Sequence, residues 1–255
     1  MDFSIKKISH ILTLFAIILT FTIFIIIPIL SFFDIIISTT DYPIENITST
    51  FKILFEIILL TTQLFLVLLL FIIFPIIWYY VINRYKKEDI LNHLKLKKGN
   101  LQKGILWGII TVIIAFIIII IVGGIIQLLG FNLTDKSNIP QLELYFSIPS
   151  ILILIIIQPI AEEIFFRGFL LDKIGNSFGK NYAIILTSIL FGLAHLSYGN
   201  IYPAFLTSII GLLLAILVTK TNNLYSSITA HIIFNIASFS IYIIGKYLQI
   251  LPLIL

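Results

Sequence analysis

The stretch QPIAEEIFFRG, residues Gln158–Gly168, lies in the second half of an apolar run that begins near Tyr145. An apolar run of this length predicts a membrane-spanning helix, so two carboxylates and a guanidinium would lie inside the bilayer. Burying one carboxylate at the bilayer centre costs about 2.5–3.5 kcal/mol even on lenient insertion scales. Glu163 and Arg167 are spaced i,i+4 and can pair on one helix face, which leaves Glu162 unpartnered on another face. Glu162 is therefore a functional candidate.

The composition of the chain is that of a polytopic membrane protein. Of its 255 residues, 60% are hydrophobic and 11% are charged, whereas one span needs only about 20 apolar residues. We interpret the net charge of +4 as loop topology, because Lys and Arg gather in cytoplasmic loops. We therefore expect the lipid bilayer, and no nucleic acid, as a partner. The sequence has no cysteine, which excludes disulfides, thiol nucleophiles and Cys-ligated metals.

The apolar runs predict an all-α fold of about seven transmembrane helices, with eight as the upper count, around a buried polar cavity. The fifth and sixth spans are short, so one of them could be tilted or re-entrant. We expect one membrane domain over residues 1–255, with a three-helix portion at 1–145 and a catalytic core at 146–244. The seven predicted spans are Ile11–Phe33, Ile57–Ile82, Ile105–Leu129, Phe146–Leu171, Tyr182–Leu196, Pro203–Val218 and Leu224–Ile244.

The distribution of basic residues predicts the orientation of the chain. With the N-terminus inside, the inside segments hold 13 of the 16 Lys and Arg residues, and the outside segments hold Lys52, Lys136 and Lys246. This bias favours a multi-pass protein of the cell membrane with a cytoplasmic N-terminus.

Two features of the loops and helix ends have competing interpretations. The polar connection Asn83–Lys103 is interpreted as a solvated positive-inside loop, with a helix at the membrane interface as the alternative. Gly104 and Gly108 form a GxxxG pattern that permits close helix contact, but the pattern also arises by chance.

Polar residues that could carry chemistry occur at three places inside the predicted spans. Spans four and five form an antiparallel hairpin whose midpoint lies between Phe178 and Gly179. Glu162 lies 16.5 positions before this midpoint and His195 lies 16.5 positions after it. At about 1.5 Å per residue the two side chains lie at the same depth in the membrane. The candidate site residues are Glu162, Glu163, Arg167, His195, His231 and Asn235.

The third place is in span seven, which starts from the same membrane side. His231 lies about nine residues into that span, counted from Asn222, and within a turn or two of the same depth. His231 and Asn235 are spaced i,i+4 and therefore face one way. A glutamate, two histidines and an asparagine can thus line one cavity.

This set of residue types favours hydrolysis. A carboxylate in a low-dielectric site can take a proton from water, and a neutral imidazole can orient that water or protonate a leaving amine. His231 and Asn235 offer donors to a developing oxyanion. A Zn²⁺ site with ligands Glu162, His195 and His231 is the rival account. In that account Glu163 would have to act as the base, but Glu163 already has Arg167 as a partner. We therefore favour a mechanism that requires no cofactor.

The Glu-Glu-x-x-x-Arg, Phe-x-x-x-His and His-x-x-x-Asn motifs, in this order on successive helices, resemble the CAAX protease and bacteriocin-processing family of intramembrane endopeptidases. The resemblance, which is to type II CAAX prenyl proteases, covers about residues 146–244. It implies that Glu162 and His195 activate water, that His231 and Asn235 form the oxyanion hole, and that Glu163 and Arg167 shape the site. The family has been described both as metalloendopeptidases and as glutamate-dependent proteases, so the metal question stays open.

The leading hypothesis is an intramembrane endopeptidase that cuts a lipidated, prenylated CAAX-type or membrane-inserted peptide near its C-terminus. One alternative is a non-catalytic membrane immunity or chaperone protein with the same fold. A proton-coupled transporter is a further alternative, because Glu and His chains also make proton relays, but the halves of the sequence show no symmetry.

Overall fold

The computed structural model describes residues 6–33, 49–96, 101–130, 139–196 and 201–248, and every regular element in these ranges is a helix. The predicted all-α fold is confirmed. The helices are α1 (Ile8–Phe32), α2 (Thr50–Val81), α3 (Lys87–His93), α4 (Leu101–Leu128), α5 (Ile139–Tyr145), α6 (Ile148–Phe178), α7 (Lys180–Leu193), α8 (Ile201–Thr221) and α9 (Leu224–Tyr247).

Six of these helices are long and apolar enough to cross a membrane: α1, α2, α4, α6, α8 and α9. The fifth predicted span corresponds to α7, which has only 14 residues and rises about 21 Å, less than a hydrocarbon core of about 30 Å. The sixth predicted span was expected to be short, but α8 has 21 residues. Six long helices and one short one agree with the expected count of about seven.

Three of the long helices contain a wider, π-helical turn. These turns are Thr22–Ile26 in α1, Leu69–Ile73 in α2 and Ile164–Leu170 in α6. In α1 and α2 the turn precedes Pro28 and Pro75, which have no N–H to donate and whose rings crowd the carbonyl four residues back. In α6 the turn follows Glu163 directly and has no proline after it within the helix. Wider turns of this kind often mark functional sites.

The hairpin between α6 and α7 turns at one residue. Gly179 has φ +91°, a left-handed backbone conformation that glycine adopts without a Cβ penalty. The turn lies at the predicted midpoint, and it sends α7 back along α6 so that the end of α7 reaches the level of the acidic pair.

The described part of the connection between α2 and α4, residues 83–96, packs one face against the helix bundle. Ile90 and Leu94 are spaced i,i+4 and are buried, and the carbonyl of Lys95 accepts a hydrogen bond from the N–H of Leu224 at 3.0 Å. Burial lowers the pKa of Lys95 below its usual range. The interpretation as a solvated loop is therefore wrong for the described residues 83–96, because an apolar stripe docks α3 against the helix bundle.

Polar contacts fix this docked segment. The carboxylate of Asp172 in α6 accepts a hydrogen bond from the Tyr79 hydroxyl at 2.9 Å and lies 3.2 Å from Nδ1 of His93. The rings of His93 and Tyr85 stack with their centroids 4.5 Å apart. The contacts join α2, α3 and α6 at one end of the bundle.

A second group of contacts joins helices at the opposite end of the bundle. Glu143 in α5 accepts hydrogen bonds from the Tyr242 hydroxyl at 2.7 Å and from Nζ of Lys246 at 2.6 Å. Although burial would raise the pKa of Glu143, these two donors hold it below its usual range. Glu56 of α2 accepts a hydrogen bond from the N–H of Ser147, just before α6. Both ends of α6 are thus fixed to neighbouring helices.

The glycines of the GxxxG pattern lie at a close contact between α4 and α9. A Cβ added at Gly108 would lie 2.8 Å from the backbone carbonyl oxygen of Ser226, and one at Gly104 would lie 3.1 Å from Asn223. The pattern is therefore a packing feature here, since only a residue without a side chain allows this approach.

Alanine at Gly108 is expected to destabilise the protein by about 1–3 kcal/mol, because the added methyl group would push two helix backbones apart. Thermal unfolding of the purified protein in detergent would show a lower Tm for Gly108→Ala. Gly124→Ala on the same helix is the matched control, because a Cβ there meets nothing within 4 Å. Equal Tm values for the two variants would contradict the packing argument.

Aromatic side chains fill the core beside the acidic pair. Phe71 of α2 stacks on Phe165 of α6 with ring centroids 4.8 Å apart, and Phe166 meets Phe191 of α7 edge to face at 5.1 Å. All four side chains are buried. This cluster joins α2, α6 and α7 and holds the π-helical turn of α6 in place.

Candidate active site

The acidic pair lies inside the protein at the start of the π-helical turn. Glu162 is 6% exposed and Glu163 is fully buried. Both belong to α6, and their side chains leave the helix in different directions. The two carboxylates therefore contact different neighbours.

Glu163 pairs with Arg167. Nη1 of Arg167 donates a hydrogen bond to Oε1 of Glu163 at 2.8 Å, and both side chains have no solvent exposure. Nη2 donates to the carbonyl of Gly211 at 3.2 Å, and the guanidinium carbon lies 4.1 Å from the ring centroid of Phe191. A Cβ at Gly211 would lie 3.1 Å from both Arg167 and Phe191. The absence of a side chain at Gly211 therefore allows α8 to approach the arginine.

His231 lies between the two carboxylates. Its Nδ1 is 3.1 Å from Oε1 of Glu163, and its Nε2 is 3.8 Å from Oε2 of Glu162. An ionised carboxylate only accepts hydrogen bonds, so the contact with Glu163 assigns a proton to Nδ1 of His231. The imidazole therefore presents Nε2 to Glu162, across a gap that is too long for a direct hydrogen bond. A gap of this length is one that a water molecule can bridge.

His195 has a defined orientation at the end of α7. Its Nδ1 lies 2.8 Å from the carbonyl oxygen of Phe191. A backbone carbonyl only accepts, so Nδ1 carries a proton and Nε2 is the basic nitrogen of the neutral ring. The Phe191 ring contacts both imidazoles, with its centroid 4.9 Å from that of His195 and 5.7 Å from that of His231. His195 interacts electrostatically with both Glu162 and His231.

Asn235 lies one turn after His231 on α9 and is half-buried. It makes no hydrogen bond with any other residue in the part of the chain that the structure describes. The structure thus brings Glu162, Glu163, Arg167 and His231 into one group and places His195 against the ring of Phe191, whereas Asn235 has no hydrogen bond with them.

Two residues in contact with this group were not foreseen from the sequence: Gly211, through its carbonyl, and Gln63, through Gln158. Nε2 of Gln158 donates to Oε1 of Glu162 at 2.8 Å, and Nε2 of Gln63 lies 3.4 Å from Oε1 of Gln158. Gln63 could have been singled out from the sequence, because it lies in the middle of a predicted span and a side-chain amide inside a membrane needs a hydrogen-bond partner.

The rival zinc account requires three ligands arranged around one point. Among the described residues, no group of three or more His, Asp or Glu side chains is arranged to hold a metal ion. We therefore derive no chemical step through a metal.

The fold and the site together define a class: an integral membrane protein made of apolar helices, with a buried group of glutamate, arginine and histidine side chains. Residues 144–237 match the family of type II CAAX prenyl endopeptidases described as Rce1-like. The match contains every candidate site residue, and it confirms the resemblance to the CAAX protease and bacteriocin-processing family. No curated protein and no solved structure matches the chain.

Proposed function

We propose that this protein is an intramembrane endopeptidase that hydrolyses a peptide bond near the C-terminus of a prenylated CAAX-type or other membrane-inserted peptide. The observation that carries the proposal is the 3.8 Å separation of Oε2 of Glu162 and Nε2 of His231 within a bundle of apolar helices. One water molecule that lies beside a buried carboxylate and imidazole at this separation can hydrogen-bond to both. We further propose that the protein lies in the cell membrane with a cytoplasmic N-terminus, on the basis of its basic residues.

In the proposed reaction Glu162 is the general base. Its Oε2 takes a proton from the water as the water oxygen bonds to the peptide carbonyl carbon. His195 supports this step, because the lone pair of its Nε2 can accept a hydrogen bond from the same water. The C–N bond then breaks, and the proton held by Glu162 moves to the leaving amine. The products are a carboxylic acid and an amine, which become a carboxylate and an ammonium group when the acid gives its proton to the amine, so no co-reactant besides water is needed.

His231 and Asn235 would stabilise the oxyanion. Nδ1 of His231 donates to Glu163, and this contact would direct Nε2 towards the developing negative charge, where an N–H would donate to the oxyanion. Glu163 holds the ring in place as a buried aspartate holds the histidine of a serine protease, and Arg167 balances the charge of Glu163. Asn235 adds a neutral amide donor from the same face of α9.

The membrane location supports a lipidated or membrane-inserted substrate. A small apolar recess adjoins His231 between α4, α8 and α9, and its walls include Val112, Leu214 and Phe234.

The test is hydrolysis by the purified protein in liposomes. The substrates are a farnesylated peptide that ends in a Cys-aliphatic-aliphatic-X sequence and the same peptide without the lipid. We expect mass spectrometry to show loss of the C-terminal tripeptide from the farnesylated peptide, with no change after exhaustive chelation. Activity that is lost on chelation and restored by zinc would contradict the metal-free mechanism. A folded protein that leaves both peptides intact would contradict the proposed function and favour an immunity or chaperone role.

A further inference from the structure

The two oxygens of the Glu162 carboxylate have different neighbours. Oε1 accepts a hydrogen bond from Nε2 of Gln158 at 2.8 Å, whereas Oε2 faces Nε2 of His231 at 3.8 Å. Gln158 lies one turn before Glu162 on the same face of α6. An amide N–H on one oxygen restricts rotation of the carboxylate and leaves the other oxygen for the reaction.

Gln158 is in turn held by a residue of α2. Nε2 of Gln63 lies 3.4 Å from Oε1 of Gln158, a long hydrogen bond that orients the amide so that its N–H groups point to Glu162. Both glutamines are half-buried within membrane-spanning helices, where a polar group without a partner is costly. Gln63 also lies outside the family-matched segment 144–237, so the N-terminal helices of this chain reach the site through this contact.

We propose that Gln158, held by Gln63, is a positioning residue that fixes the Glu162 carboxylate with Oε2 towards the reacting water. The proposal rests on the proposed function and assigns to α2 a part in catalysis. The competing explanation is that the two amides only hold α2 against α6. If Gln158 positions Glu162, a variant without its N–H donor should lose kcat at a constant KM. If the amides only hold the helices together, the same variant should lose stability and keep kcat.

Replacement of Gln158 by methionine is the decisive change, because the methionine side chain is about as long as that of glutamine and has no N–H donor. We expect Gln158→Met to lower kcat on the farnesylated peptide about 10-fold, the effect of losing one hydrogen bond to a charged group, with KM within about 2-fold of its original value. Gln127→Met, the same replacement near the end of α4, is the matched control and should leave both constants unchanged. Unchanged kcat in folded Gln158→Met would overturn the proposal.

The coupling of the two glutamines gives a second test. Gln63→Met should lower kcat by itself, and it should add little in a protein that already carries Gln158→Met, because both changes act on the same contact. Additive effects of the two changes on kcat would show that Gln63 does not act through Gln158. Gln63→Met alone also tests the proposal if Gln158→Met does not fold.

A chemical measurement makes the inference independent of the enzyme assay. An apolar carbodiimide labels carboxyl groups within membranes, and mass spectrometry measures the rate at which Glu162 is labelled. We expect Gln158→Met to be labelled at least about 3-fold faster than the unmodified protein, because the carboxyl group loses the donor that restrains it. Equal rates would overturn the inference even if the protein hydrolyses the peptide. A faster rate in a protein without peptidase activity would support the contact and contradict only the proposed function.

Discussion

Glutamine in place of Glu162 is expected to lower kcat for hydrolysis of the farnesylated peptide by about 10³-fold. The amide has the size and shape of the carboxylate, but it cannot take a proton from water. Since Glu162 accepts its hydrogen bond from Nε2 of Gln158 and a glutamine carbonyl oxygen can accept it as well, the Tm of the variant should stay close to that of the original protein. Initial rates in liposomes over a range of peptide concentrations would separate kcat from KM.

Glu143→Gln is the matched control for that experiment. It makes the same chemical change at a carboxylate that binds Tyr242 and Lys246, at the opposite end of the bundle from the α6–α7 turn. We expect it to lower Tm slightly and to leave kcat within about 2-fold. If Glu162→Gln kept a kcat as high as that of Glu143→Gln, Glu162 would not be the general base.

Methionine in place of Arg167 is expected to produce the largest loss of stability, about 3–5 kcal/mol. Arg167 and Glu163 have no solvent exposure, so removal of the guanidinium leaves a buried carboxylate without its counter-charge. The variant would also lose the hydrogen bond to Gly211 and the contact with Phe191. Thermal or denaturant unfolding in detergent would measure this loss as a fall in Tm or in the free energy of unfolding.

Two controls separate the lost ion pair from the lost side chain. Lys220→Met removes an exposed positive charge on α8 and should change the free energy of unfolding by less than about 1 kcal/mol. The double variant Glu163→Gln with Arg167→Met removes both buried charges and should be more stable than Arg167→Met alone. A double variant that is less stable than Arg167→Met would contradict the electrostatic argument.

The hairpin that carries Glu162 and His195 could be predicted because it depends on helix rise and on chain length. Counting residues from the hairpin turn placed Glu162 and His195 at equal depth, and the turn lies where the count required, at Gly179. The i,i+4 spacing predicted that Glu163 could pair with Arg167, which the structure shows as a contact of 2.8 Å. The roles of these residues in catalysis stay predictions.

The sharing of His231 between two carboxylates could not be predicted, because it depends on side-chain rotamers and on the packing of α9 against α6. The contact of Nδ1 with Glu163 decides which nitrogen faces Glu162, and periodicity holds no information on this choice. The π-helical turn in α6 could not be predicted either, because no proline follows the acidic pair within that helix.

The segment between α2 and α4 shows why charge composition misled the prediction. Its many basic residues indicated a solvated loop, whereas Ile90 and Leu94 form a short apolar stripe that docks against the bundle. The stripe is only one helical turn long, which is too short for a periodic pattern to stand out from chance.

The most direct test of the central claim is the mass of the product formed in water enriched in the heavy oxygen isotope. The purified protein in liposomes is given the farnesylated peptide, and the new C-terminal carboxylate is analysed by mass spectrometry. Attack by a water between Glu162 and the histidines predicts one heavy oxygen in that carboxylate and no labelled product from Glu162→Gln. An intact peptide in the presence of folded protein, or a labelled product formed equally well by Glu162→Gln, would contradict the account.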